Sequence, residues 1–214
     1  MPTPTHSVLP ALFADFPALL PLEEPLARAH DLLREAFAGG GKLLVCGNGG
    51  SAADSAHIVG ELMKGFRKRR PLPPKEADAV QATPQMPAGF AAQLQQALPA
   101  IDLTAQSALL TAFSNDVAPD MVYAQQVYGY GAPGDALIAL STSGNSRNVV
   151  NAVHAARAKG VRTIGITGEG ESALSRLCDV CLRLPAKETY RVQEYTLPVY
   201  HALCALIEDD FFAE

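Results

Sequence analysis

One stretch decides the fold of this chain: Asp135-Ala-Leu-Ile-Ala-Leu-Ser-Thr-Ser-Gly-Asn-Ser146. Its first half is an apolar run of strand length, and its second half gathers hydroxyl-bearing residues around a glycine. A helical pattern over 148–159 follows directly, so the sequence predicts a buried parallel strand that passes into a helix here. The amino end of that helix would present unpaired backbone N–H groups and a positive dipole end, which together favour an anion.

The same arrangement occurs earlier in the chain. Lys42-Leu-Leu-Val-Cys46 predicts a buried strand, and Gly47-Asn-Gly-Gly-Ser51 follows it and leads into a predicted helix over 52–64. Parallel strands of one sheet end at the same edge, and ligands of such sheets bind at that edge. Two turns of this type therefore make a phosphate-bearing small molecule the leading ligand.

Strands and helices alternate along the rest of the chain, which predicts a central parallel sheet covered by helices on both faces. We therefore expect an α/β fold, a single-domain three-layer αβα sandwich of Rossmann-like type, with an N-terminal helix over 23–38. The other predicted elements are strands at 99–103, 161–167 and 178–184, helices at 105–113, 121–130, 171–177 and a last helix at about 190–211.

Two proline-rich segments interrupt this pattern. Residues 1–22 are predicted to form an irregular, loosely docked N-terminal arm, with the folded domain occupying 23–214. Residues 71–98 contain five prolines and are predicted to be an inserted loop or a partly disordered excursion.

Charge and composition exclude several classes of protein. The chain carries 17 Lys and Arg against 22 Asp and Glu, a net charge of −5, which argues against a nucleic-acid-binding protein. Arg67-Lys-Arg-Arg70 is interpreted as a solvated helix end rather than a nucleic-acid patch. No apolar run approaches the roughly 20 residues that span a bilayer, and the first ten residues lack the features of a signal peptide. We expect no membrane partner and a cytoplasmic protein.

The four cysteines are interpreted as packing residues. Cys178 and Cys181 have a CxxC spacing, but both fall in a predicted strand, which would direct their side chains to opposite faces of the sheet. Such a pair suits neither a zinc site nor a redox couple. Cys46 and Cys204 are expected to be buried in the same way.

Four polar residues on two predicted helices could carry chemistry. His57 and Glu61 lie one turn apart on one helix face, while Gln193 and His201 lie about 80° apart around the last helix. Pro198 between them predicts a kink. Taken singly, each histidine is more typical of a satisfied or surface residue, and His57 with Glu61 could be a helical ion pair. Taken together, the four could ligate a metal or provide an acid and a base.

Several scattered motifs resemble the phosphoheptose isomerases, which are sugar-isomerase (SIS) domain proteins. The resemblance runs from about residue 23 to the end of the chain, with the motifs in the order found in that family. They are Cys46-Gly-Asn-Gly-Gly-Ser51, Asp54, His57-x3-Glu61-Leu62, Arg70-Pro71, Asn115-Asp116, Ser141-Thr-Ser-Gly-Asn-Ser146 and Arg191-x-Gln193-Glu194-x6-His201.

The resemblance implies an aldose–ketose isomerase that interconverts sedoheptulose 7-phosphate and D-glycero-D-manno-heptose 7-phosphate through a cis-enediol. Glu61 would be the catalytic base and His201 its acid/base partner. Ser141, Thr142, Ser143 and Ser146 would hold the phosphate. The sugar would contact Glu61 and the residues Asn48, Gly49, Gly50, Ser51, Asn115, Asp116 and Gln193.

The resemblance also implies one zinc ion per subunit, held by His57, Glu61, Gln193 and His201. It further implies a homotetramer with active sites shared between subunits. The sequence itself favours an oligomer, because the two end helices carry more apolar residues than one sheet face should cover. These residues are Leu26, Leu32, Leu33, Phe37, Leu203, Leu206, Ile207 and Phe211. The alternative is that both helices pack only within their own subunit.

Three departures from the family pattern leave the sugar open: the long segment 71–98, Tyr190 where the closest heptose enzymes have an aspartate, and Pro198. One alternative is therefore an SIS isomerase that acts on a different phosphosugar. The other is a non-catalytic SIS protein, either a sugar-phosphate sensor or a relative of the family's replication-initiator-associating protein. That reading predicts degraded acid/base residues, whereas Glu61 and His201 are both present.

Overall fold

A five-stranded, fully parallel sheet forms the centre of the computed structural model, which describes residues 5–213. The strands lie in the order β2-β1-β3-β4-β5. Their bounds are β1 Leu43–Cys46, β2 Ala100–Asp102, β3 Ala136–Leu140, β4 Arg162–Gly168 and β5 Val180–Leu184. The predicted α/β class and parallel sheet are confirmed, with strand ends moved by one or two residues.

The helices that surround the sheet are α1 Thr5–Asp15, α2 Glu23–Ala38, α3 Gly50–Met63, α4 Pro74–Gln81, α5 Ser107–Asp116, α6 Val122–Tyr130, α7 Arg147–Ala158, α8 Ala173–Leu177 and α9 Thr189–Phe211. Short 3-10 segments lie at Pro17–Leu22, Ala91–Gln93 and Pro119–Met121. Helix α9 continues through Pro198 as one element. Across residues 5–213, no helix is both long enough and apolar enough to cross a membrane.

Alternate residues of the strands point into two separate cores, which makes the fold three-layered. Leu43 and Val45 of β1 pack with helices α2, α3 and α9 on one face of the sheet. Leu44 and Cys46 of the same strand pack with α6, α7 and α8 on the other face. All four side chains are fully buried, so the predicted three-layer sandwich is confirmed.

The prediction of an irregular N-terminal arm is wrong for the part of it that the structure describes. Residues 5–15 form helix α1, which packs against α9, and Pro17–Leu22 form a 3-10 turn. Leu12, Leu19 and Leu22 are buried in the main core. Helix α1 even contains Pro10 in its interior, where a proline is unfavourable. Burial of apolar side chains such as Leu12 outweighs that cost, so proline content alone misjudged this segment. Residues 1–4 lie outside the described residues.

The segment 71–98 is also more regular than predicted. Helix α4 begins at Pro74, directly after Pro73. A proline is tolerated at this position because it removes only an N–H that has no partner in the first helical turn. The two ends of the segment meet in an antiparallel bridge between Pro71 and Gln95. The segment is therefore a closed excursion rather than a disordered loop.

The two end helices are covered within the chain itself. Leu26, Leu33, Leu203 and Ile207 are each at most 3% exposed, and the Phe37 ring meets the Phe211 ring edge to face at 6.1 Å. The inference that these apolar residues need a second subunit is therefore wrong, because α2 and α9 cover each other over one sheet face.

The prediction that Cys178 and Cys181 lie on opposite faces of the sheet is wrong. Strand β5 begins only at Val180, so Cys178 precedes the strand. A Cβ atom placed on Gly165 would lie 3.1 Å from the Cys178 sulfur and 3.2 Å from the Cys181 sulfur. Both thiols therefore line the same small space beside β4. All four cysteines are free thiols.

Candidate functional site

The loop between β1 and α3 is built so that backbone groups can face a ligand. Gly49 has a positive φ of 58°, a conformation that glycine adopts without steric cost. A side chain on Gly47 would lie 2.6 Å from the carbonyl oxygen of Ser51. The hydroxyl of Tyr123 donates a hydrogen bond to the Gly47 carbonyl at 2.7 Å, which fixes the loop from the opposite face of the sheet.

The serine-rich loop lies beside it, between β3 and α7. Gly144, with a φ of 64°, lets the chain turn against the side chains of Thr167 and Ser172. The hydroxyl oxygens of Ser141 and Ser146 lie 2.9 Å apart. Ser146 immediately precedes the first residue of α7, so its hydroxyl lies at the positive end of that helix.

The two loops enclose a cavity of about 290 Å³. Most of the predicted phosphate-binding and sugar-binding residues surround it, together with Leu140 and the unpredicted Thr189. The lining consists of Asn48, Gly49, Gly50, Ser51, Leu140, Ser141, Thr142, Ser146, Thr189 and Gln193. Its hydroxyls, its two helix amino ends and the absence of a lining carboxylate suit a phosphate group.

Besides Glu61, which lies near the other end of α3, three predicted ligand contacts lie outside this lining. Ser143 is exposed, and its hydroxyl accepts a hydrogen bond from the backbone N–H of Asn145 at 3.2 Å. Asn115 and Asp116 are exposed at the end of α5, where the Asn115 amide donates to the Asp116 carboxylate at 2.8 Å. Within one chain, the structure therefore does not bring Asn115 and Asp116 to the cavity.

A second group of polar residues forms where α3 packs against α9. His57 Nε2 lies 3.0 Å from Glu61 Oε1, and the rings of His57 and His201 meet edge to face at 4.9 Å. His201 Nε2 is buried without a hydrogen-bond partner among the described residues. The structure thus brings the predicted base and its predicted acid/base partner together around His57.

The surroundings of this group shift two of its pKa values. Burial alone raises the pKa of Glu61, but the hydrogen bond and charge of Lys64, 2.9 Å away, and the neighbouring His57 lower it below its ordinary value. Burial and the nearby His57 lower the pKa of His201, against a smaller opposite effect of Glu61. At neutral pH the site therefore holds an ionised carboxylate beside a neutral imidazole, which is a competent base and proton carrier.

Gln193 does not join this group, contrary to the predicted set of four metal ligands. Its side-chain amide lies against Gly50, and the eight residues that separate it from His201 span about 12 Å along α9. Across the described residues, no three His, Cys, Asp or Glu side chains are already arranged to hold a metal ion. The remaining donors, two imidazoles and a carboxylate, are of the types that zinc prefers.

Sequence reasoning missed two residues that touch this group. Tyr200 is 1% exposed, and its hydroxyl lies 2.8 Å from His57 Nδ1. Lys64 forms an ion pair with Glu61 at 2.9 Å. The spacing of three between Glu61 and Lys64 was a usable signal for a helical pair, whereas the buried Tyr200 has no such pattern.

Comparisons with known proteins point to one family. The model of the SIS domain family matches residues 19–87 and 76–168. The phosphoheptose isomerase of Rhodospirillum rubrum is 39% identical over 184 residues, which is 86% of this chain and 85% of that protein. A solved structure of a phosphoheptose isomerase from Neisseria gonorrhoeae superposes with a TM-score of 0.69 at 34% identity, covering 87% of each chain. One from Francisella tularensis gives a TM-score of 0.74 at 29% identity, covering 91% of this chain and 90% of that one.

Proposed function

The chain belongs to the SIS domain family of phosphosugar isomerases, and we propose on that premise that it interconverts sedoheptulose 7-phosphate and D-glycero-D-manno-heptose 7-phosphate. Its class, an aldose–ketose isomerase, follows from its phosphoheptose isomerase relatives. The choice of sugar rests on the same relatives. The assignment of roles to residues rests on one observation, that Glu61 and His201 each contact His57.

Glu61 is proposed as the base. The reaction removes a proton from the carbon beside a carbonyl and returns a proton to the former carbonyl carbon, by way of a cis-enediol. The lowered pKa of Glu61 keeps its carboxylate ionised and ready to accept that proton. Only 12% of this side chain is exposed, so few water molecules compete for it.

His201 is proposed as the group that moves the second proton, between the two oxygens of the enediol. A neutral imidazole can donate at one nitrogen and accept at the other. Its buried Nε2 has no hydrogen-bond partner among the described residues, so that atom is available to a substrate oxygen. Lys64, beside Glu61, supplies a positive charge near the place where the enediolate forms.

The substrate phosphate is proposed to lie in the cavity between the two loops, with Ser141, Thr142 and Ser146 as hydroxyl donors. The cavity lies at the first turn of α3 and Glu61 near its last turn, which separates them by about 15 Å along the helix axis. We therefore propose, as the family resemblance implies, that the protein is a homotetramer. A sugar bound at the cavity of one subunit would be acted on by Glu61 and His201 of a neighbouring subunit.

Zinc is proposed as the cofactor, held by His57, Glu61 and His201. The two imidazole rings, 4.9 Å apart, and the Glu61 carboxylate, 3.0 Å from His57 Nε2, are donor types that fit the ion. When bound, zinc would polarise the substrate oxygens beside the carbon that loses its proton.

Conversion of sedoheptulose 7-phosphate by the purified protein tests the proposal directly. Glu61→Gln and His201→Ala should each lower kcat by about 10²–10⁴ because each removes a general acid/base group. Glu35→Gln and His154→Ala, both exposed and remote from the site, are the matched controls. Near-normal turnover of either site variant would overturn the assigned roles. Turnover of a shorter phosphosugar in place of the heptose would retain the isomerase and replace the substrate.

A further inference from the structure

A buried arginine connects the end of α3 to α9. Arg70 is only 1% exposed, although the sequence placed it in a solvated cluster of cations. Its Nη1 donates to the carbonyl of Leu62 at 2.7 Å and its Nη2 to the carbonyl of Glu61 at 3.2 Å. Its Nε donates to the carboxylate of Glu208 at 2.8 Å. These bonds supply donors to helix-end carbonyls that have no partner within α3.

Glu208 holds the chain segment that follows α3. Its side chain is fully buried and accepts backbone N–H groups from Phe66 at 2.9 Å, Arg67 at 2.7 Å and Lys68 at 3.2 Å. The carboxylate and the guanidinium therefore satisfy each other and five backbone groups, with the Phe212 ring 4.4 Å from the Arg70 Cζ atom. A buried ion pair is in itself weak evidence for a stabilising role. The role of the Arg70–Glu208 pair is therefore judged from its hydrogen bond to the Glu61 carbonyl.

The same pair also reaches the other side of the candidate site. Glu208 follows His201 by seven residues, two turns along one face of α9. Phe66, whose N–H is bound by Glu208, lies with its ring 5.3 Å from the ring of His201. The backbone of Glu61 and the ring of His201 are thus fixed by groups that meet at one buried carboxylate.

We infer that Arg70 and Glu208 are positioning residues that set the placement of Glu61 relative to His201. The inference rests on the proposed function, in which these two groups exchange protons with one substrate. Neither Arg70 nor Glu208 touches the reacting atoms. Their effect is geometric, and a misplacement of about 1 Å in a catalytic group can cost about 10²-fold in rate.

Arg70→Lys is the first test. Lysine keeps the charge opposite Glu208, but its single ammonium cannot present a planar fork to two carbonyls and a carboxylate. We expect kcat to fall about 10- to 100-fold, with KM within about twofold of wild type, because the phosphate cavity is untouched. Lys42→Met is the control, since it breaks the ion pair with the buried Asp135 far from Glu61 and should lower Tm while preserving kcat. A lower Tm with unchanged kcat in Arg70→Lys would show a merely structural role and overturn the inference.

A second variant guards against loss of the fold. The double replacement Arg70→Met with Glu208→Leu removes both charges together, which buried pairs tolerate better than the loss of one partner. The folded double variant should remain slow in kcat, whereas wild-type turnover would overturn the inference.

Hydrogen exchange separates this inference from the proposed reaction. In Glu208→Gln, the amides of Phe66 and Arg67 should exchange at least tenfold faster than in wild type. The amides in the C-terminal turn of α3 should also exchange faster. Unchanged protection of these amides would overturn the positioning role of Arg70 and Glu208, even if the enzyme is active. If the wild-type protein fails to convert the heptose phosphate while Glu208→Gln still exchanges faster than wild type, the proposed substrate alone is overturned.

Discussion

The hydroxyl of Tyr200 lies 2.8 Å from Nδ1 of His57, and this contact directs the opposite ring nitrogen, Nε2, towards Glu61. Tyr200 also shares a hydrogen bond with Asp54, and burial together with the Asp54 charge raises the pKa of the phenol. A phenol that stays protonated donates to Asp54 and accepts from the Nδ1–H of His57. With Nδ1 protonated, the 3.0 Å contact between Nε2 and the ionised Glu61 needs a proton or a metal ion between the two atoms.

Tyr200→Phe should therefore weaken the site without emptying the core, since a phenyl ring fills the same space. Loss of such a supporting hydrogen bond costs about 10- to 100-fold in metal affinity or activity. We expect a fall of that size in kcat, measured beside Tyr128→Phe, which changes an exposed tyrosine on α6. Equal kcat values for the two variants would remove Tyr200 from the mechanism.

The serine loop offers an internal comparison between two hydroxyls. Ser146 lines the cavity, whereas Ser143 is exposed and bonds within its own loop. Both Ser146→Ala and Ser143→Ala should raise KM, with the larger increase, about tenfold or more, for Ser146 because hydrogen bonds to a charged group are worth about 1.5–3 kcal/mol. Steady-state kinetics decide this. A collapse of kcat at constant KM would place the serines in the chemistry instead of in phosphate binding.

Shared active sites predict rescue between two impaired variants assayed at low substrate concentration. Glu61→Gln lacks the base, and the double variant Ser141→Ala with Ser146→Ala lacks the phosphate donors. If each site combines residues of two subunits, co-expression should form mixed tetramers in which some sites have both intact halves, and activity should reappear. Light scattering should show a tetramer at micromolar concentration. Mixed oligomers that stay inactive, or a fully active monomer, would contradict the shared site.

The parallel sheet and its ligand edge could be predicted from the sequence because both signals are local. An apolar run such as 135–140 has strand length, and the Gly-Ser turns after it carry their own conformational reasons. Proline content was a weaker signal. It suggested irregular structure at 1–22 and 71–98, but helices α1 and α4 lie there. Helix α4 begins at Pro74, where a proline costs little. Helix α1 instead contains Pro10 in its interior, and burial of Leu12 in the core outweighs that cost.

Contacts across the fold could not be predicted in the same way. Arg70 and Glu208 are 138 residues apart. The Arg70-Pro71 motif distinguishes Arg70 from the exposed Arg69, but nothing in the motif indicates that Arg70 is buried or that Glu208 is its partner. The separation of Gln193 from His201 follows from the eight residues between them on α9. Which of the two meets His57 depends on how α3 packs against α9, with Gly50 next to Gln193 and His57 next to His201. Residue types and motif order could indicate the site, but not which member of the set stands apart.

The cysteines give a pH prediction that is independent of the activity. Burial, followed by nearby negative charge from Cys181 and Asp179, raises the pKa of Cys178 to about 12. Burial likewise raises that of Cys181 to about 11, despite the opposing charge of Arg183. Unfolded thiols ionise near pH 8.5, so the unfolded state loses these protons first. The free energy of unfolding should then fall as pH rises above that value and be unaffected by the thiols below it.

Denaturant unfolding on either side of that pH measures the free energy directly, and thiol labelling at pH 8 checks the burial on which the prediction rests. The folded protein should react slowly, and all four cysteines should react at once in denaturant. Rapid labelling of native Cys178 or Cys181 would contradict the burial that the structure assigns to them.

The last prediction concerns the zinc content of the protein, which should differ between variants of the four predicted ligands. Protein purified without chelator should contain about one zinc ion per subunit by elemental analysis. His57→Ala and His201→Ala should lose most of it, because each removes an imidazole from the group around Glu61. Gln193→Ala should retain more, since that amide lies against Gly50 at the far end of α3 and an amide oxygen is a weak ligand for this ion. His154→Ala, an exposed histidine on α7, controls for adventitious binding. If the wild-type protein carries no metal and keeps full activity in a strong chelator, zinc leaves the mechanism, and Glu61 and His201 act as a plain acid/base pair.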